Sequence, residues 1–537
     1  MNALAPPRVS GPGGTGRPRP RSRPPLSWRR RVLVTLGGVG LFATVASWWY
    51  LEFSPAVLLD GTDAVARLVG RMLPPVVDDP GRTVDLVVET LLMALLGTVI
   101  ATVLSVPLAF LAARNTTPHP VVQAAARGVI TFCRAVPDLV FAIVLVRAMG
   151  IGVLAGVLAL ALHSVGMLGK LFADAIEEID EGPREAVRST GAGRLAVLVS
   201  GVVPQVVPSW IGTFVYRVDI NLRISVVLGF VGAGGIGFAL QSSLRSLSYD
   251  AALGMVLAIL AVLAAMEVAS VGVRHLLLQP SARHPRRDRA ARWIFGAGLL
   301  LATGFAFAWL RIDPLTMVTS APDVVAAAMR LVPPDFGLVG GQLWEAVLQT
   351  LAIGVLATAG GIVMSIPLGL LAARTVSPHP VLAWAARGLM LAVRSVPELI
   401  LAVVFVAAVG LGPVAGVCAL GIGSIGFLGK LVADAAEEID LGPVEAVRAV
   451  GGGWWQVLFS AVLPQVMPSL IGSSLYLLDV NIRHSTVLGI VGAGGVGFLL
   501  YEAVRTLNFE FAGAIILIVF VIVYVIERLS GWIRAQV

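Results

Sequence analysis

The chain has 537 residues, 57% of them apolar and 13% charged, with a mean hydropathy of +0.89. A soluble domain carries about 25% charged residues, so this composition excludes a soluble globular protein and indicates a polytopic membrane protein. The net charge of +7 comes from two basic segments beside apolar spans, as cytoplasmic flanks require, and not from a nucleic-acid-binding face.

In chain order, residues 1–31 hold eight Arg and no acid among many Pro and Gly, the composition of a disordered basic tail. A spanning helix needs about 20 mostly apolar residues. Such stretches lie near 33–51, 86–112, 130–150, 152–173, 197–216 and 251–273. Residues 274–292, with six Arg against Asp288, read as a basic cytoplasmic linker. Spans then recur near 293–310, 346–372, 390–410, 412–433, 457–476 and 511–528. The expected fold is therefore all-α, with about 12 transmembrane helices arranged as two direct six-helix repeats, 32–273 and 293–537. Trp309 matches Trp49, so the first span is a helix and not a cleaved signal.

The repeat is direct. GKLFADAIEEIDEGPREAVRSTGAG at 169–193 returns as GKLVADAAEEIDLGPVEAVRAVGGG at 429–453, and 203–238 returns at 463–498 with the same offset of 260 residues. Arg29–Arg31, Arg114, Arg127, the linker, Arg528 and Arg534 place both termini and both copies of the 169–193 loop on the cytoplasmic side. The acids of 52–85 place that segment outside. The apolar stretch 224–241 would reverse the second half if it spanned, so it reads as re-entrant or broken.

In the 173–204 loop an acidic run precedes Gly182-Pro183, and Pro183 suits the first turn of a short helix carrying Glu185. Gly191 ends or kinks that helix, and Pro204 marks the return to the membrane. The spacing of Glu185, Ala186, Gly191 and Pro204 resembles the EAA loop of ABC importer permeases. Glu445, Ala446, Gly451 and Pro464 repeat it, with Leu463 also matching. Val187, Val447, Gly201 and Ala461 depart from the pattern.

More closely, these strings together with VPQVVPSWI, YRVDINLRISVVLGFVGAGGIGF and their second copies resemble the phosphonate-type importer permeases (PhnE-like), over nearly all of 86–270 and 346–530. The resemblance implies a MetI-like permease fold and a fused pair of units that usually occur singly. It further implies coupling helices at the two loops, two cytoplasmic ATP-binding subunits, an extracytoplasmic substrate-binding protein and a small phosphorus oxyanion as cargo. The chain itself then performs no chemistry and needs no cofactor.

A polar island at Arg217, Asp219, Asn221, Arg223 and Ser225 follows the fifth span. Copy two keeps Asp479, Asn481, Arg483 and Ser485 but has Leu477 for Arg217 and His484 for Ile224. Ionisable residues at membrane depth mark functional sites, and Arg grips an oxyanion bidentately. Asn221, Arg223, Asn481 and Arg483, with Gly234 and Gly494 beside them, are therefore candidates for a translocation path. The alternative is that Asp219–Arg223 and Asp479–Arg483 are local i,i+4 pairs.

Three further features are set aside. Gly232–Gly237 and Gly492–Gly497 fit G-x-G-x-x-G, but the stretch lies in a membrane segment, and Asp250 follows too closely to serve as the acidic partner of a dinucleotide fold. Leu171 and Ser164 break any P-loop reading around Gly169-Lys170. Two cysteines, Cys133 and Cys418, give neither a disulfide framework nor a metal cluster. Lys170, Asp174 and Glu178 have the spacing of a salt-bridge network, and Lys170 and Lys430 are the only lysines. His119 and His379 read as turn residues. Rival functions are a permease of the same superfamily carrying an amino acid or quaternary amine, and an ion-coupled secondary transporter. The second usually shows inverted repeats, which this chain lacks.

Overall fold

The computed structural model describes residues 28–278, 285–337, 340–534 and 536. The expected tail, up to residue 27, and residues 279–284 of the expected linker lie outside these. Among the described residues every regular element is a helix. The first half contains α1 (Trp28–Tyr50), α2 (Pro55–Met72), α3 (Pro80–Ala112), α4 (Pro120–Ala135), α5 (Asp138–Met149), α6 (Val153–Glu177), α7 (Glu181–Ser189), α8 (Arg194–Gly229), α9 (Gly235–Arg245) and α10 (Tyr249–Leu278). The second contains α11 (Pro285–Trp309), α12 (Pro314–Thr319), α13 (Ala321–Met329), α14 (Gly341–Ala372), α15 (Pro380–Ser395), α16 (Glu398–Val409), α17 (Pro413–Glu437), α18 (Leu441–Ala449), α19 (Trp454–Val491), α20 (Val496–Arg505) and α21 (Phe509–Arg534). Helix therefore begins at Trp28 and resumes at Pro285, inside the segments expected to be tail and linker.

Eight of these helices are long and apolar enough to cross a membrane, or eleven spans if each bent pair counts as one. The single spans expected at 130–150 and 390–410 are bent pairs. Helices α4 and α5 meet at 89°, and α15 and α16 at 85°. The cause is Pro137 and Pro397. A proline drives the preceding residue out of the α region, and Val136 is extended at ψ 124°. Because proline has no N–H, Pro137 starts α5 without a donor to satisfy.

Connections alternate between the two ends of the bundle. At one end the amide of Arg114 donates to Glu177 Oε1 at 2.7 Å, and Asn115 Nδ2 donates to the Ile176 carbonyl at 2.6 Å. That end carries α7 and α18. At the other, Val76 N–H donates to the Asp250 carbonyl and Gly152 N–H to the Gly232 carbonyl.

The fifth span of each half is longer than expected. Helix α8 has 36 residues, about 54 Å at the α-helical rise, and contains the whole polar island within one continuous helix. A π-helical segment, Leu198–Val202, precedes Pro204, because a proline amide cannot close the regular i→i−4 bond. Leu458–Val462 repeats this before Pro464. The break expected in 224–241 falls at 230–234. Helix α9 then has 11 residues, too few to cross about 30 Å of hydrocarbon.

Helices α8 and α9 cross at a backbone-on-backbone contact. A β-carbon on Gly237 would land directly on the Val226 carbonyl oxygen, and one on Gly497 on that of Thr486. Gly237→Ala is expected to cost about 3 kcal/mol or more, the upper end for overpacking, because the obstacle is backbone. Thermal unfolding of the purified variant measures it, and an unchanged midpoint would contradict the crossing.

The halves interlock. Helix α1 packs on α14 of the second half, and α11 packs on α3 of the first. Helix α2 lies against α16, and α13 against α5. One apolar cluster runs through both halves, joining Leu96, Leu145 and Leu228 with Leu356, Leu420 and Leu488. A smaller cluster at the α7 end of the first half centres on Phe172, and the matching cluster of the second half contains Val444.

Candidate functional site

Two sites follow from the repeat: a pair of exposed helices at one end, and a charged seam between the halves. Helix α7 is capped by Asp180, whose carboxylate accepts the Gly182 amide at 2.9 Å; Asp440 and Gly442 repeat this at α18. Because the helix starts at Glu181, that residue and not Glu185 occupies the first turn. Gly191 and Gly451 follow the last turns at φ +77° and +81°, the left-handed region that terminates helices at glycine. Glu185, Ala186, Glu445 and Ala446 are all exposed, so each short helix presents a free face.

What holds these helices in place is legible only in three dimensions. Gln205 Oε1 accepts the Asp180 amide at 3.1 Å, and its Nε2 donates to the Asp180 and Gly201 carbonyls. Gln465 makes the same three bonds. The small residue at Gly201 has a packing reason: a β-carbon there would sit 3.0 Å from Arg184 Cα. Arg184 also bonds Glu181 Oε2 at 2.8 Å and the Asn115 carbonyl at 2.6 Å. Its counterpart, Val444, is 3% exposed and packs in the apolar cluster instead.

The seam is built from both halves. Arg223 Nη2 contacts Asp219 Oδ2 at 3.2 Å and Glu267 Oε2 at 2.9 Å. Glu267, midway along α10, also faces Arg394 of α15 at 3.8 Å. By the same rule Arg134, in the last turn of α4, pairs with Glu527 of α21. Arg483 bonds Asp479 Oδ2 at 2.6 Å and reaches the Arg134 carbonyl at 3.4 Å across the seam. The i,i+4 pairs form, and each Arg also makes a contact beyond its own helix. Arg134, Glu267, Arg394 and Glu527 were missed by the sequence reading. A signal existed, since Glu267 is the only ionisable residue in 251–273.

Asn221 and Asn481 lie elsewhere. Asn221 is fully buried and donates to Thr98 Oγ1 at 2.8 Å and Ser164 Oγ at 2.9 Å, tying α8 to α3 and α6. Asn481 does the same with Thr358 and Ser424. Both are committed to interhelical bonds within one half. Gly234 and Gly494 sit farther along, in the turns at the end opposite α7, where a β-carbon would meet Glu89 Oε1 or Gln349 Oε1 at 2.8 Å. Those side chains accept the amides of Gly235 and Gly495, and Thr90 and Thr350 those of Ile236 and Val496. The start of the G-x-G-x-x-G helix is thus occupied by the chain's own side chains.

The halves differ inside the seam. Arg217 is 2% exposed, donates from Nε to Ser164 Oγ at 2.9 Å, and leaves Nη2 without a partner. No carboxylate lies within 4.0 Å of it among the described residues. The second half has Leu477 at that position, and instead pairs His484 with Glu398. Replacing an unpaired buried cation with an apolar side chain stabilises. Arg217→Leu is therefore expected to raise the thermal midpoint by about 2–4 °C; a lower midpoint would mean that Arg217 has a partner in the folded membrane protein.

The salt-bridge network expected of Lys170, Asp174 and Glu178 does not form. Lys170 makes no ion pair among the described residues, and Glu177 pairs instead with Arg127 at 2.6 Å. Arg387 and Glu437 match that pair. Glu177 also accepts the Arg114 amide where α6 ends, which holds it beside α4. His119 and His379 cap α4 and α15 through Nδ1, accepting the Val121 and Val381 amides at 3.2 Å, as turn residues do. No cluster of potential metal ligands occurs among the described residues.

The description "Binding-protein-dependent transport system inner membrane component" matches this chain twice, over 105–279 and 365–537. The phosphate-import permease protein PhnE of Mycolicibacterium smegmatis is 65% identical over 92% of this chain and 93% of its own. The phosphite transport system permease protein PtxC of Stutzerimonas stutzeri is 44% identical over 46% of this chain and 89% of its own length. Among solved structures, the MetNI methionine ABC transporter matches at 26% identity and a TM-score of 0.33, covering 36% of this chain and 96% of that one. Two family matches in one polypeptide, each spanning a bundle with an exposed capped helix at the same end, identify the chain: it belongs to the binding-protein-dependent transport system inner membrane components, as a PhnE-like ABC importer permease with two units fused.

Proposed function

We propose that the chain moves a small phosphorus oxyanion of the phosphate, phosphite or phosphonate class inward across the cytoplasmic membrane. Residues 32–273 and 293–537 act as the two permease units, and both termini lie in the cytoplasm. The observation that carries the reading is the matched pair α7 and α18. Their exposed Glu185/Ala186 and Glu445/Ala446 faces stand at one end of the bundle, each on the same cap and glutamine brace. Each face receives one cytoplasmic ATP-binding subunit, so that closure of the two subunits moves the halves against each other. An extracytoplasmic binding protein delivers cargo at the opposite end, beside the glycine turns at Gly234 and Gly494.

The path runs along the seam. Arg223 and Arg483, with Arg134 and Arg394, bring four guanidinium groups from both halves to it, each held by a carboxylate that an incoming oxyanion can replace as partner. The Asn221 and Asn481 bonds keep the flanking helices in register. The cargo class rests on the 65% identity to a phosphate-import permease, together with this concentration of Arg.

The test is uptake of phosphate, phosphite and a phosphonate into proteoliposomes holding the chain, its ATP-binding subunits and its binding protein. ATP-dependent uptake of at least one of these is expected. Uptake that persists without ATP, or failure of any ATP-binding subunit to co-purify, overturns the reading. In the same assay Arg223→Gln/Arg483→Gln with normal assembly should lower uptake, and undiminished transport removes these two from the path.

A further inference from the structure

A cavity of about 710 Å³ opens at the α7 end of one seam, between α4 and α6 of the first half and α21 of the second. Its wall carries five bases against two acids, Asp174 and Glu527. Two of the bases are engaged, Arg127 with Glu177 and Arg134 with Glu527. The other three, Lys170, Arg528 and Arg534, have no ion-pair partner among the described residues. Arg528 is held in place by its neighbour: its guanidinium lies 5.3 Å from the Tyr524 ring, and its Nε bonds the Tyr524 hydroxyl at 3.1 Å.

The other seam cannot build the same wall. At the matched offset, Tyr524, Arg528 and Trp532 become Ala264, Val268 and Gly272, while Lys430 and Arg274 are kept. The extra guanidinium of Arg528 and the aromatic support of Tyr524 and Trp532 thus belong to one side of a nearly symmetric protein. Arg presents a planar fork and Lys a compact point charge, both suited to phosphate. A basic pocket between transmembrane helices, with Tyr and Trp at its edge, has the chemistry that takes a phosphorylated head group.

We infer that this cavity is a single, one-sided binding site for a phosphate group, held by Lys170, Arg528 and Arg534. The group is either a free phosphate ion or the head group of an anionic phospholipid. The cavity adjoins the proposed path at Arg134, but Lys170, Arg528 and Arg534 are not among the path residues, and the inference does not depend on which solute is carried.

The experiment uses the full chain in nanodiscs. In phosphatidylcholine discs, inorganic phosphate is titrated by equilibrium dialysis. In discs containing phosphatidylglycerol, retained lipid is counted by native mass spectrometry. The variants are Lys170→Gln/Arg528→Val and the matched control Lys430→Gln, each checked for an unchanged melting profile. In one of the two arms, Lys170→Gln/Arg528→Val should weaken binding by about tenfold or more, the loss of one charge-assisted hydrogen bond at least. Lys430→Gln should leave it unchanged. Weakening in the phosphate arm identifies a free ion, and weakening in the lipid arm identifies a head group. Unaltered binding in both arms, or equal weakening by Lys430→Gln, overturns the site. ATP-dependent uptake by the same variants is read separately, so retained transport with unaltered binding removes this site alone.

Discussion

Valine at both Gly191 and Gly451 is expected to abolish coupled transport while leaving the membrane bundle folded. Both glycines stand at φ near +80° after the last turn of α7 and α18, and a β-carbon in that region costs about 1–2 kcal/mol per residue. Neither glycine has an atom within 4 Å of its notional β-carbon, so the penalty is one of backbone conformation and not of packing. The chain relieves it by abandoning the turn, and each short helix then leaves its exit angle. Two such costs together exceed the about 1.4 kcal/mol that makes a tenfold change in an equilibrium, so ATP-driven uptake should fall by about tenfold or more. The apolar clusters beneath, around Phe172 and around Val444, do not contain either glycine, so yield and thermal midpoint should stay close to the parent's. Uptake, ATPase rate and midpoint measured on one preparation separate the outcomes: full transport would show that the two helices do not transmit the ATPase stroke.

The same comparison explains what sequence reading reached. Local chemistry placed α7 and α18, because a proline near the start and a terminating glycine act within ten residues of one another, but the caps at Asp180 and Asp440 set the first turns earlier than Pro183 suggested. The offset of 260 residues then told that both helices occupy equivalent places. The bends at Pro137 and Pro397 were within reach, since each proline lies inside a predicted span, but apolar composition alone cannot separate a kinked pair from a straight helix. The length of α8 was hidden for the opposite reason: its polar island looks like an exit from the membrane, and only the neighbours that satisfy Asn221, Thr98 on α3 and Ser164 on α6, keep the helix going.

The seam was the least legible part. Arg134 and Glu527 are 393 positions apart in the chain, and nothing in a single sequence pairs them. The interlocking of α1 with α14 and of α11 with α3 is likewise a property of the assembled pair of halves. Its basis is the repeat itself: two similar units pack so that helices meet across the seam in matched pairs, α1 on α14 as α11 on α3, and α2 on α16 as α13 on α5. The match is imperfect where the residues differ, at Arg217 against Leu477 and at Ile224 against His484. A homodimer of one unit would have to carry the same residue at both positions. Fusion removes that constraint and permits a single unpaired Arg217 on one side of the seam and the His484–Glu398 contact on the other.

The Arg134–Glu527 pair gives the second large effect, and its sign pattern is what matters. The two side chains are 21% and 25% exposed, inside a membrane bundle, with one carboxylate oxygen of Glu527 lacking any partner. Arg134→Gln leaves that carboxylate uncompensated. Breaking a buried pair from one side costs about 3–5 kcal/mol, and partial exposure to the neighbouring cavity places this one near about 3 kcal/mol. Glu527→Gln strands Arg134 in turn and should cost a similar amount. Removing both charges together leaves two neutral amides able to bond each other, so the double variant should recover most of the loss, to within about 1 kcal/mol of the parent. The matched pair, Arg394 and Glu267, stands 3.8 Å apart and shares Glu267 with Arg223. Arg394→Gln leaves Glu267 still paired, so its cost should be smaller, about 1 kcal/mol or less. Thermal unfolding of the four variants and the parent in one detergent measures the set. Recovery in the double variant, with a larger loss for Arg134→Gln than for Arg394→Gln, is the expected order. Equal losses for the two single Arg variants would mean that the seams are electrostatically equivalent, and that the asymmetry of Arg217 and His484 does not extend to the charges that join the halves.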